Sequence, residues 1–132
     1  MTKNNSKGIL DWFDPRGRSV SGWAFILNRV TAIGLTIYLY LHLIMLGQLA
    51  QGAQTWDAFI AFAKQPVVLV GEFIVILGGL IHGFNGIRII LTTFGWGVKQ
   101  QKPLFWVFFI SALLLSTIIG YRMFTIHQSV IP

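Results

Sequence analysis

The sequence predicts an all-α integral membrane protein with three transmembrane helices, its N-terminus inside and its C-terminus outside. Of its 132 residues, 55% are hydrophobic and 11% are charged, whereas ordinary soluble domains carry about 25% charged residues. The mean hydropathy of +0.69 points the same way. A small soluble domain exposes much of its surface and needs polar residues to cover it. The composition therefore excludes a soluble globular domain and a disordered chain.

Three apolar segments are each long enough to cross a bilayer, which takes about 20 residues. We expect them at about 22–47, 66–94 and 103–123, in a single membrane domain over residues 1–132 whose cytoplasmic tail covers residues 1–21. A helix satisfies its own backbone hydrogen bonds in lipid, and the sequence lacks the period-two alternation of a transmembrane barrel. The segments are therefore interpreted as helices.

The basic residues determine the expected orientation. Eight of the ten Lys and Arg residues precede or open the first span, or flank the turn between the second and third: Lys3, Lys7, Arg16, Arg18, Arg29, Arg88, Lys99 and Lys102. Because basic residues favour the inner side, the N-terminus and the loop at 95–102 are expected to face the cytoplasm or matrix. The net charge of +6 does not cluster on one helix face, so no nucleic-acid partner is expected.

The sequence contains no cysteine. It therefore has no thiolate to hold an iron–sulfur cluster and no C-x-x-C-H segment to attach a c-type haem. Any cofactor has to be bound by histidine, by carboxylate or by shape.

His82 lies inside the second span, where an ionisable side chain is costly and usually marks function. The residues three and four positions away, which share its helix face, are Gly78, Gly79, Asn85 and Gly86. The glycines would leave a flat, open groove beside the imidazole, and a planar macrocycle ligated by His82 would fit it. The alternative is close helix packing through the glycines, with His82 hydrogen-bonded across the interface.

A second histidine lies at a different depth. His42 follows Arg29 by 13 residues, which is about 20 Å along a helix, whereas His82 precedes Arg88 by six residues, which is about 9 Å. Both arginines mark the inner boundary. The two histidines are therefore poorly placed to ligate one iron, and two haems stacked across the bilayer would follow if both bind haem.

The sequence gives less specific roles to the remaining ionisable residues. Arg29 and Arg88 suit haem propionates or a quinone carbonyl, and the alternative is that they reach the lipid headgroups. Glu72 lies near the outer face, where extension to the interface or pairing with Lys64 is the simplest interpretation. His127 is interfacial, and we assign no role to it or to Glu72.

Two segments carry a family resemblance. The first is Arg29-Val30-Thr31-Ala32-Ile33-Gly34, and the second is His82-Gly83-Phe84-Asn85-Gly86-Ile87-Arg88 followed by Phe94-Gly95. They resemble the H-R-x-[ST]-G and H-x-x-x-G-I-R-H motifs of the cytochrome b membrane-anchor subunit of succinate dehydrogenase and the related fumarate reductases. Asn28 stands where that family often has histidine. The family also has three helices and about this length, so the resemblance covers nearly the whole chain.

The resemblance implies a role for several residues. His82 would ligate haem b, Arg88 would lie near the haem propionates, and Arg29 would lie near the quinone headgroup. His42 resembles the distal haem ligand of the two-haem variant of the family, so one or two haems b are implied, shared with a partner subunit. Further candidates for the quinone site lie upstream: Trp23, Ser21 and Ser19.

The resemblance also implies a place in succinate:quinone oxidoreductase, the respiratory complex II that joins the tricarboxylic acid cycle to electron transport. The implied partners are a second anchor subunit, an iron–sulfur subunit, a flavoprotein subunit and the lipid bilayer. Succinate would be oxidised at the flavin and quinone reduced at the inner face, with no independent catalytic site in this chain. The short chain without an evident transit peptide favours a prokaryotic plasma membrane. The alternative function is a cofactor-free helical subunit of a transporter or assembly complex.

Overall fold

The computed structural model describes Gly8 and residues 16–130, with side chains described as far as Ile126. Within this range the chain forms four α-helices: α1 (Val20–Gly47), α2 (Ala53–Ala63), α3 (Pro66–Thr93) and α4 (Gln101–Val130). Most of the tail predicted for residues 1–21 lies outside the described residues.

Helices α1, α3 and α4 are long and apolar enough to cross a membrane, which confirms the three predicted transmembrane helices. Their 28, 28 and 30 residues correspond to about 42–45 Å at 1.5 Å per residue. The last helix continues to Val130, beyond the expected end near residue 123. An apolarity search detects only the part of a helix that lies in lipid, and a polar extension such as this one escapes it.

The short helix α2 was not expected from the sequence. Its 11 residues are too few to span a bilayer. Trp56, Phe59 and Ile60 are half-buried along one side, with the rings of Trp56 and Phe59 5.4 Å apart, while Asp57 is exposed. This two-sided pattern is typical of a helix that lies along the membrane interface.

The turn after α3 is closed by glycine. Gly95 has a φ of 85°, a left-handed conformation that glycine adopts without steric cost. The Trp96 N–H donates to the Leu91 carbonyl at 2.9 Å and the Gly95 N–H donates to the Thr92 carbonyl at 3.1 Å. This pair of bonds is the Schellman arrangement that ends helices, and it brings the start of α4 back to the end of α3.

Small residues allow α3 and α4 to pack closely. Ala112, Ser116 and Gly120 recur every four residues along α4 and are buried, and such a stripe lets two helix backbones approach in a membrane. Gly120 lies against the ring of Phe73 on α3. Elsewhere in the same interface the rings of Phe84 and Phe108 stack at 5.8 Å.

We expect Gly120→Ala to destabilise the bundle. A Cβ at this position would lie 2.5 Å from Cε2 of Phe73, so the ring has to move, and overpacking of this kind costs about 1–3 kcal/mol. The measurement is the Tm of the detergent-solubilised complex. Gly47→Ala is the matched control, because a Cβ there meets no atom within 4 Å and alanine favours helix. A Tm for Gly120→Ala equal to that of the control would contradict the tight α3–α4 interface.

Candidate functional site: a histidine held between α1 and α3

His82 is half-buried on α3 and faces α1. Its Nδ1 lies 3.1 Å from the Thr31 hydroxyl oxygen and 3.2 Å from the Asn28 carbonyl oxygen. Within the described residues its other ring nitrogen, Nε2, makes no hydrogen bond. The imidazole is thus held through one nitrogen and presents the other away from α1.

The glycines around His82 are largely open. A Cβ added at Gly78, Gly83 or Gly86 would meet no atom within 4 Å, and one added at Gly79 would only reach Leu35 Cδ2 at 3.8 Å. Among the described residues, helix packing within this chain therefore does not account for the glycines. They leave a flat surface on α3 beside the imidazole.

Asn85 and Arg88 follow His82 along α3 toward one end of the bundle, and we call these three polar side chains the polar path. The Asn85 amide donates to the Ala24 carbonyl on α1 at 3.1 Å, and its oxygen accepts from the Arg88 Nε at 3.0 Å. Arg88 is 7% exposed, and its Cζ lies 5.8 Å from the ring centre of Phe105 on α4. Because six residues rotate a helix by about 120° from a shared face, Arg88 points toward α4 and away from the His82 face. Its role at the haem propionates stays a prediction.

Asn28 contributes a second polar group next to His82. Its side-chain Oδ1 is buried and has no hydrogen-bond partner among the described residues. An unpaired buried acceptor costs about 1–3 kcal/mol.

The candidate quinone residues lie at the same end of the bundle but on different sides of α1. The Arg29 Cζ sits 4.1 Å above the ring centre of Phe25, a cation–π arrangement. Trp23, six residues earlier and so about 120° around the helix, lines a groove of about 520 Å³ with Phe105 and Trp106 of α4. The structure therefore does not bring Arg29 and Trp23 onto one face.

The two candidate serines mark where α1 begins. Ser19 precedes the helix and its side chain makes no capping hydrogen bond. The Ser21 hydroxyl donates to the Gln101 side-chain oxygen at 3.1 Å. Ser21 thus joins the start of α1 to the start of α4.

His42 lies in a separate groove between α1, α2 and α3. It is exposed, and its ring stacks on Tyr38 with a centroid distance of 5.5 Å and a 3.4 Å contact from Nδ1 to the tyrosine oxygen. The groove has a volume of about 440 Å³, and its lining includes Phe59 and Phe62 from α2 and Glu72 from α3. An aromatic, largely apolar cleft with a few polar groups is typical of a ligand site.

The two histidines occupy different depths. Thr31 is level with His82, and His42 follows Thr31 by 11 residues on the same helix, which is about 16 Å along the axis and close to three turns. No group of three or more His, Asp or Glu side chains that could hold a metal forms in the described part of the chain. Each histidine therefore offers a single ligand in its own site. The side chain of His127 lies outside the described residues.

Sequence reasoning did not assign a role to Thr31 or Asn85. Asn85 carries a signal, because it lies three residues from both His82 and Arg88 and so connects them along α3. Thr31 belongs to the first motif, but its contact with His82 depends on how α1 and α3 align.

A family model described as Succinate dehydrogenase/Fumarate reductase transmembrane subunit matches residues 15–120. The chain belongs to this family. The matched range contains His42, His82 and every side chain of the polar path between α1 and α3. The protein is accordingly an integral membrane subunit of the succinate dehydrogenase and fumarate reductase type.

Known relatives of this family are moderately similar to the chain. It is 30% identical over 87 residues to succinate dehydrogenase 2 membrane subunit SdhC of Mycobacterium tuberculosis, a match that covers 64% of this chain and 63% of the relative. It is 26% identical over 108 residues to the succinate dehydrogenase hydrophobic membrane anchor subunit of Halobacterium salinarum, covering 80% and 83%. It is 34% identical over 58 residues to a fumarate reductase subunit of Photorhabdus laumondii, covering 44% and 45%. No solved structure matches significantly. Its bacterial relatives support a plasma-membrane location.

Proposed function

We propose that this subunit ligates haem b through His82 and helps to form the quinone site of a succinate:quinone oxidoreductase. It would anchor a flavoprotein subunit and an iron–sulfur subunit to the membrane beside a second anchor subunit. The names of the mycobacterial and halobacterial relatives support succinate dehydrogenase as the enzyme.

The observation that carries the proposal is the way α1 holds His82. Metal-bound histidines almost always donate their second ring N–H to a carbonyl or another acceptor, which orients the ring. His82 has such acceptors at Nδ1, the Asn28 carbonyl and the Thr31 hydroxyl, and its Nε2 remains for iron. The open glycine surface beside it suits a flat macrocycle. The residues therefore fit haem, which when bound would supply a one-electron carrier at this depth.

A partner subunit would complete the site. Within the described residues, His82 offers one axial ligand and the next histidine along the bundle is about 16 Å away along α1. Few side chains are buried inside this chain, and they include Ala24, Ile26, Leu69, Phe105 and Ala112. A second three-helix subunit would provide the other ligand and cover the remaining surface of the haem.

The quinone would bind at the end of the bundle that carries Arg29. A guanidinium donates hydrogen bonds to a carbonyl oxygen, which is the acceptor that the oxidised quinone offers. Trp23, Ser21 and Ser19 lie at the same end, but Trp23 is about 120° around α1 from Arg29. Partner residues would have to join these two sides of α1 into one pocket.

This end of the bundle would face the inside of the cell. The sequence assigns most basic residues of the described chain to the inner side. They lie at the start of α1, the end of α3 and the start of α4, whereas Lys64 and Arg122 lie toward the other end. Positive charge favours the inner side. The flavoprotein and iron–sulfur subunits would then dock on the side where the quinone binds.

A second haem would bind at His42. The groove beside this histidine has a volume of about 440 Å³, which lies within the range of about 300–1,000 Å³ that is typical of ligand pockets. The depth difference supports a position for this haem toward the opposite membrane face from the Arg29 end. Two haems would thus lie one above the other along α1.

The test of the proposed function is purification of the complex through a tag on this chain. We expect a flavin-containing and an iron–sulfur subunit to co-purify, together with b-type haem and succinate:quinone reductase activity. A stable preparation without these partners and without haem would support a cofactor-free helical subunit.

We expect His42→Ala to reduce the haem content of the purified complex from two haems to one. The remaining haem would be the one at His82, because the two imidazoles lie in separate sites. Haem per flavin, measured as the pyridine haemochrome, checks this. Tyr38→Phe is the matched control, since it keeps the ring stacked on His42 and removes only a 3.4 Å polar contact. An unchanged haem content in His42→Ala would rule out the distal haem.

A further inference from the structure

We propose that Thr31 is a positioning residue for His82: its hydroxyl fixes the proton on Nδ1 and tunes the haem that Nε2 ligates. This inference rests on the proposed function, because it assumes that His82 binds haem. Thr31 matches the [ST] position of the first motif, but nothing in the motif or the relatives' names gives it a role.

The hydrogen bonds of Thr31 leave its oxygen as an acceptor toward His82. Its hydroxyl carries one hydrogen, and the Leu27 carbonyl lies 2.7 Å away, closer than the Asn28 carbonyl at 3.1 Å. A helical threonine commonly donates to a carbonyl of the preceding turn. With the hydrogen so placed, a lone pair of the hydroxyl oxygen faces Nδ1 at 3.1 Å.

The Asn28 carbonyl independently indicates that Nδ1 of His82 carries the proton. A carbonyl oxygen only accepts, and it lies 3.2 Å from Nδ1. The opposite tautomer would set the Nδ1 lone pair against that oxygen. Both neighbours are therefore satisfied only when Nδ1 carries the proton, which leaves the lone pair on Nε2.

The two acceptors affect the iron as well as the ring. A hydrogen bond from Nδ1–H raises the basicity of the imidazole, and a more basic axial ligand favours ferric over ferrous iron. Second-shell hydrogen bonding is one of the ways in which a protein sets haem potential. Thr31 thus holds the haem potential lower than the Asn28 carbonyl would alone.

The test compares Thr31→Val and Thr31→Ser in the complete purified complex. Valine has nearly the same shape but no hydroxyl, whereas serine keeps the hydroxyl. Leu27 keeps its helical backbone bond in both variants, so α1 should fold normally. Redox titration followed by haem absorbance measures the midpoint potential, and low-temperature EPR of the ferric haem reports the axial field of His82.

We expect Thr31→Val to retain haem, to shift its midpoint potential upward and to change the low-spin EPR signal. At a fixed ambient potential the ferrous-to-ferric ratio should rise by up to about fivefold, the size of one lost hydrogen bond, because only the difference in its strength between ferric and ferrous haem counts. Thr31→Ser should match the wild type in both readouts. A Thr31→Val complex that contains haem with an unaltered potential and EPR signal would overturn the inference.

The outcomes separate this inference from the proposed function. A wild-type complex without haem contradicts the role of His82 itself. If the wild-type complex contains haem and its midpoint potential shifts upward equally in Thr31→Val and Thr31→Ser, only the role of the hydroxyl is contradicted. Altered packing would then explain the effect.

Discussion

Replacement of His82 by alanine is expected to remove the haem that we propose His82 ligates. The imidazole is the proposed ligand, α1 orients it through the Asn28 carbonyl and the Thr31 hydroxyl, and no other histidine of the described chain lies at this depth. The pyridine haemochrome of the purified complex should fall by one haem per flavin. Its spectrum should retain only the haem at His42.

Two controls separate ligand loss from a folding defect. The flavoprotein and iron–sulfur subunits of the His82→Ala complex should still co-purify and oxidise succinate with an artificial dye. In His82→Ala combined with His42→Ala, both haems should be lost. A His82→Ala complex with an unchanged haem content and spectrum would show that His82 only hydrogen-bonds to α1.

Replacement of Arg29 by alanine is expected to impair quinone reduction selectively. A hydrogen bond from a charged donor is worth about 1.5–3 kcal/mol, so turnover with quinone should fall by about ten- to a hundredfold. Succinate oxidation with an artificial dye should be retained, because it bypasses the membrane site. Steady-state assays with both acceptors on one preparation measure the ratio directly.

The neighbouring basic residue offers a control for Arg29. Arg18→Ala removes a positive charge from the same end of the bundle, at a residue that lines the Trp23 groove. We expect it to change the quinone-to-dye ratio less than Arg29→Ala does. Equal loss of the two activities in Arg29→Ala would indicate an assembly defect and would contradict its place at the quinone site.

The sequence predicts the three spans because lipid imposes a single strong requirement, a long apolar helix. A search for long apolar helices misses α2, because its 11 residues are too few and show a two-sided pattern. The same search misses the C-terminal end of α4, where Arg122 and polar residues beyond it remain helical. Length and apolarity therefore reveal membrane crossings better than helix ends.

The candidate site was only partly accessible from sequence. His82 is evident because an imidazole inside a span is costly. Its contacts with Asn28 and Thr31 are not, because they depend on the axial shift and rotation of α1 against α3. The helical rotation along α1 likewise separates Arg29 from Trp23, which are close in sequence but about 120° apart around the helix. Pairing across helices is thus the information that only the structure provides.

The central claim is that His82 is an axial haem ligand. The most direct measurement is the dithionite-reduced minus oxidised absorption spectrum of the purified wild-type complex, recorded beside that of His82→Ala. We expect the wild type to show the Soret and α bands of a b-type haem, and one haem component to be absent from the variant. Identical spectra for the two proteins, or no haem bands in the wild type, would contradict the claim.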